Sequence, residues 1–87
     1  MLLTEEFIKS RIKSVEYFNP KGTLTIAVIT LDNGFSVTGE SACINPANFN
    51  KEIGQAIAYK KAFDKLWEPM GYFIVEREFL KEQSSNT

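Results

Sequence analysis

Six residues carry the side chains best suited to binding chemistry, and they fall in two groups. Glu40, Ser41 and Asn45 lie around the elbow GESACIN, which ends an alternating stretch and precedes a proline-started amphipathic one. Acceptors, a hydroxyl and an amide beside a helix start suit a phosphate or carboxylate, because first-turn N–H groups point outward without partners. The same residues also make ordinary turns and caps, with Cys43 and Ile44 plugging a core. Tyr59, Lys60 and Lys61 form the second group. Lys60 either reaches an anion or an acidic partner, or lays its stem over the core edge with its head in water. Tyr59 either meets a C-terminal helix or a second subunit.

Catalytic chemistry is poorly provided for. The chain has no histidine, which removes the commonest general base and the usual nucleophile pairs and zinc sites, and its one cysteine, Cys43, cannot replace them. Its five glycines are scattered, so no phosphate-cradling loop is encoded. The carboxylate pairs Glu5/Glu6 and Glu76/Glu78 stand in surface-type contexts. A binding protein without cofactor or metal is expected, not an enzyme. Eleven acidic against ten basic residues, a net charge of -1, create no general field toward nucleic acid or anionic membranes. A single cysteine fits a reducing cytoplasm. No apolar run approaches the roughly 20 residues of a spanning helix, and the N-terminus lacks the pattern of a signal peptide.

The elements that must hold these residues follow from periodicity and punctuation. Thr4 is placed to cap a short helix with Glu5 and Glu6 in its first turn and Phe7, Ile8 and Ile12 on its apolar side. Ser14 to Phe18 alternates as a half-buried strand does, and Asn19-Pro20-Lys21-Gly22 has the residue order of a type I turn. Leu24 to Leu31 is a β-branched strand. The next loop has two registers. A two-residue Asn33-Gly34 turn sets Asp32 against Phe35, whereas a three-residue Asp32-Asn33-Gly34 loop pairs Leu31 with Phe35, Ile29 with Val37 and Ala27 with Gly39. The second puts apolar partners on one face and is preferred.

Asn45-Pro46 is read as the start of a main helix running to Trp67. Phe49, Ile53, Ala56, Phe63 and Trp67 share one side of it, with Ile57 at the edge and Lys60 near the centre, and Lys61 and Lys65 point away. Glu68-Pro69 interrupts the run. Met70 to Lys81 then reads as a second helix, although Tyr72-Phe73-Ile74-Val75 also suits a strand. The expected architecture is α+β: one domain over residues 1–82 with a frayed tail at 83–87, in which a small antiparallel β-meander of two or three strands packs against a long amphipathic helix, between a short N-terminal helix and a C-terminal one.

The run NGFSVTGESACINPANFNKEIGQAIAYKKAFDKLW, followed by GY, resembles an uncharacterised family of small tailed-phage and prophage proteins. In these an NGF-x-V-x-GES strand is followed by a Pro-Ala-x-Phe element and a helix with G-x-x-I-A-Y. The resemblance spans about Thr25 to Tyr72 and implies a phage accessory protein acting in the bacterial host cytoplasm, without transferring any catalytic or ligand residue. The order helix, meander, helix is also similar to that of double-stranded-RNA-binding domains, but without their clustered basic residues.

The expected function is non-catalytic: to bind and modulate a host protein, or to capture a small anionic, nucleotide-like host signal. The alternative is a nucleic-acid-binding module using Lys51, Lys60, Lys61 and Lys65 of the main helix. A homo-oligomer is also expected, because Tyr59, Trp67, Tyr72 and Phe73 offer more aromatic surface than one thin layer covers.

Overall fold

The computed structural model describes residues 2–85. The Thr4 hydroxyl accepts a hydrogen bond from Phe7 N at 3.1 Å and starts helix α1, Glu5–Ser10, with Glu5 and Glu6 in the positively polarised first turn. Three antiparallel strands follow: β1 Ile12–Lys21, β2 Leu24–Leu31 and β3 Ser36–Ser41, in the order β1-β2-β3. The sheet therefore has three strands, and Ser14 to Phe18 lies within β1, with Val15 opposite Ile29 and Tyr17 opposite Ala27.

The first reversal departs from the type I turn expected at Asn19–Gly22. Strand β1 runs through Asn19 and Pro20 to Lys21, which pairs with Leu24, and the chain turns at Gly22 and Thr23. Gly22 takes φ = +57°, a left-handed conformation that glycine adopts cheaply, and a two-residue turn of this kind matches strand twist. Pro20 is tolerated because β1 is an edge strand with an irregularity between Phe18 and Lys21. The Asn19 amide closes the turn by donating to Gly22 O (3.0 Å) and Leu24 O (2.6 Å).

The second reversal takes the preferred register. Ile29 pairs with Val37 and Ala27 with Gly39, Leu31 N donates to Phe35 O at 2.8 Å, and Gly34 has φ = +92°. Burial alternates along β2, with Thr25, Ala27, Ile29 and Leu31 turned inward. Phe35, expected inside, remains about half exposed because it sits at the loop edge, beside Pro69 and Phe73.

The main helix starts later than Pro46. Asn45 does act as a cap, accepting from Ala47 N at 3.0 Å, but for a single 3-10 turn, Pro46–Asn48. Phe49 is extended, and Asn50 caps a new helix by accepting from Ile53 N at 3.1 Å. This is α2, Lys51–Asp64. Its buried face is not the predicted stripe: of Phe49, Ile53, Ala56, Phe63 and Trp67 only Phe63 is buried, while Ile53 is 58% exposed. The sheet is met instead by Gly54, Ala58 and Ala62, small residues four apart. Gly39 of β3 explains the rotation. A Cβ there would collide with Ala58 O and Ala62 N, so the backbones lie in direct contact and the smallest side chains face the strand.

Helix α3, Trp67–Ser85, follows a break at Lys65 and Leu66. Tyr72 to Val75 is therefore helical, and the C-terminal helix extends beyond Met70–Lys81 at both ends. Pro69 falls in its first turn, where no helical N–H is required. The helix runs through the 82/83 limit to Ser85, and the rest of the expected tail, residues 86–87, lies outside the described residues. Ile8, Ala27, Ile29, Leu31, Ala58, Ala62, Phe63, Leu66 and Met70 form the core. Beyond Met70 and Ile74, α3 leaves the body, and the molecule measures 64 × 20 × 16 Å. Its radius of gyration, 16.8 Å, exceeds the roughly 12 Å of a compact chain of this length.

Candidate binding site

Helix α2 keeps the two groups of sequence-selected residues apart. Glu40 is exposed at the end of β3, opposite Ile26, and Ser41 is half-buried beside it. Asn45 is exposed, its side chain holding the 3-10 turn and its carbonyl accepting from Cys43 Sγ at 3.1 Å. Ser41 and Cys43, with Asn48, Phe49 and Ile53, line a cleft of about 210 Å³ beside the start of α2. Cys43 N and O are both bound by the Thr23 hydroxyl, at 3.1 and 2.7 Å, which fixes the elbow to the first hairpin.

Tyr59, Lys60 and Lys61 lie in the last turns of α2. Tyr59 is half-buried, its ring 5.9 Å from that of Phe63, which meets Trp67 edge-on at 6.3 Å. Lys60 does not sit in the buried stripe, because the row Gly54, Ala58, Ala62 turns it outward. It pairs with Asp64 at 3.1 Å, over a shallow depression that also includes Glu5 and Trp67. Lys61 is exposed. The six residues thus form no single site.

A larger cleft, about 340 Å³, was not indicated by sequence. Tyr17, Phe18 and Asn19 of β1, Thr25 of β2, Phe49, and Lys51 and Gln55 of α2 line it. Its residues are far apart in the chain; the Asn50 cap and the small residue Gly54 are the signals that could have shown where α2 comes down on the sheet, and both fall inside the single longer helix expected from sequence.

A charged cluster holds the root of α3. Arg11 Nε donates to both Asp32 carboxylate oxygens, at 2.9 and 2.7 Å, and its guanidinium lies 5.5 Å from the Phe73 ring centre, with that of Arg77 at 5.4 Å. The hydrogen bond from Arg11 holds the Asp32 carboxyl below its usual pKa and raises that of Arg11. A depressed carboxylate pKa contributes stability above about pH 4 that is lost as pH falls through the folded value. Acid titration followed by near-UV circular dichroism should therefore show a loss of stability below about pH 4 that is shallower in Asp32→Asn. Superimposable wild-type and variant profiles would contradict a role for the pair.

A family model of phage proteins, the N4 Gp49/phage Sf6 gene 66 family, matches residues 3–77. The chain belongs to this family. The match extends past the resembling segment to take in the residues of α1, β1 and the first half of α3. Neither a curated protein nor a solved structure matches the chain. Among the described residues no helix is long and apolar enough to cross a membrane, and no cluster of potential metal ligands occurs.

Proposed function

We propose that this family member is a non-catalytic phage accessory protein that acts in the host cytoplasm by binding and modulating a host protein, with α3 as the contact arm. One observation carries the reading: Tyr72, Val75 and Phe79 form an apolar stripe along α3, with Leu80 beside it, on the side away from buried Met70 and Ile74. Such a stripe on a projecting helix is the form in which helices dock into apolar grooves. Val75 is 68% exposed, so nothing in its own fold requires it to be apolar. Homo-oligomerisation through the same arm is the second reading, favoured by the elongated shape.

Nucleic-acid binding ranks lower. Lys60 is paired with Asp64, and Lys51 stands at the opposite end of α2 from Lys61 and Lys65, which leaves no continuous basic track.

Affinity capture from host lysate with wild-type protein and a Val75→Glu/Phe79→Glu variant tests the proposal. A host protein enriched about tenfold or more by wild type over the variant is expected, since truncating central apolar anchors costs over about 1.4 kcal/mol. Sedimentation of the purified protein separates the second reading. A dimer abolished by the same variant, with no host protein captured, would reassign α3 to self-association.

A further inference from the structure

We propose that the cleft between the outer half of β1 and the start of α2 binds a small planar aromatic anion of nucleotide size, an activity beyond the protein contact assigned to α3. The cleft exists because of how the layers are offset. Helix α2 lies over β2 and β3, and the near end of β1 packs through Ile12 and Val15 against the core cluster that includes Ile8, Leu66 and Met70. At its far end Tyr17, on the helix side of the sheet opposite Ala27, stays 38% exposed and lines a cleft. At about 340 Å³ the void is within the range of about 300–1,000 Å³ of small-molecule sites.

The lining chooses the ligand class. Tyr17, on the helix side of the sheet, and Phe49 offer aromatic faces for stacking a ring. Lys51 is the sole charged residue of the lining, no carboxylate accompanies it, and among the described residues it has no ion-pair partner. It stands in the first turn of the 14-residue α2, where the Asn50 side chain takes up only Ile53 N, so the N–H groups of Lys51 and Glu52 have no helical acceptor.

An independent feature lies on the floor. Thr25 is the buried polar residue of the core face, 3% exposed, and no described residue hydrogen-bonds its hydroxyl. The hydroxyl is not sealed inside the core but opens on the cleft, where a ligand atom would supply the hydrogen bond it lacks. Gly54 keeps the space above it free: a Cβ there would approach the Thr25 hydroxyl to 3.1 Å. At the rim, the Asn19 amide N–H groups are used by the turn, leaving its carbonyl oxygen as an acceptor, and Gln55 presents a whole amide. One acceptor and one amide flanking aromatic walls suit the edge of a heteroaromatic ring.

Isotope-labelled protein titrated with AMP, GMP, adenosine and inorganic phosphate, followed by amide NMR shifts, tests this. At least one nucleotide is expected to shift Tyr17, Asn19, Lys51 and Gln55 with a Kd below about 1 mM. Adenosine and phosphate, each carrying half of the recognised chemistry, should bind about tenfold more weakly or worse. Lys51→Gln, a change at an exposed position, should weaken nucleotide binding about tenfold and leave adenosine binding unchanged. The proposal is overturned if neither nucleotide shifts these residues at about 5 mM, if the shifts map elsewhere, or if Lys51→Gln binds as wild type does.

Discussion

Gly39→Ala should destabilise the protein by about 3 kcal/mol or more in denaturant melts, although it adds one methyl group to a strand. The new Cβ would overlap Ala58 O and Ala62 N and come within 3.0 Å of Ala62 Cα, all of them backbone atoms of α2. A clashing side chain can change rotamer, but a helix backbone can only move as a unit. Lifting α2 would open gaps beside Ala58 and Ala62, both fully buried, and lose dispersion contacts along the row. Gly39 does not have a positive φ, so the cost is steric rather than conformational. Gly71→Ala supplies the control. It lies inside α3 with nothing within 4 Å of a new Cβ, and alanine there should stabilise by about 0.5–1 kcal/mol through helix propensity. If Gly39→Ala melts within about 0.5 kcal/mol of wild type, α2 does not rest on β3 at this point.

The same contact explains why sequence revealed the sheet better than the helix face. Register in the second hairpin was legible because Ala27, Ile29 and Leu31 must share a face with Val37, and a one-residue slip would invert them all. Turn chemistry was less decisive. Asn19, Pro20 and Gly22 satisfy a type I turn on paper, yet an edge strand accepts the proline and a glycine at φ = +57° reverses the chain later. On α2, weighting by side-chain size picked Ile53 and Trp67, whereas the interface is governed by how closely backbones approach and therefore selects Gly54, Ala58 and Ala62. That preference could be recognised only with Gly39 already known to lie beneath.

The candidate sites show a related limit. Caps are local, so Asn45 was visible as a helix-start residue, whereas Asn50, the cap of α2, fell inside the longer expected helix, and the point at which the chain commits to α2 was misplaced. The large cleft depends on the lateral offset of α2 from β1. Tyr17, Thr25 and Lys51 meet through that offset, and no spacing in the chain encodes it. Lys60 is central only to the stripe of large side chains, which is not the buried one. Once the row of small residues is taken as the inner face, it falls on the outside, where it pairs with Asp64.

Phe63→Ala should cost about 3–5 kcal/mol, among the largest losses available to a single substitution here. Phe63 is 6% exposed and is the one member of the predicted stripe that is buried, because it lies at the end of α2 where the row of small residues gives way to the junction with Leu66 and Met70. Its ring stacks obliquely on Tyr59 and meets Trp67 edge-on, so truncation removes two aromatic contacts and leaves a cavity below the α2–α3 break. The loss should reach α3, whose root depends on Leu66 and Met70 packing beside that ring. Ile53→Ala tests the face assignment: as a half-exposed side chain over the smaller cleft, it should cost about 1 kcal/mol or less. The two values need to differ. Equal large losses would restore the wider stripe as the core face, while a Phe63→Ala loss below about 0.5 kcal/mol would place the core elsewhere.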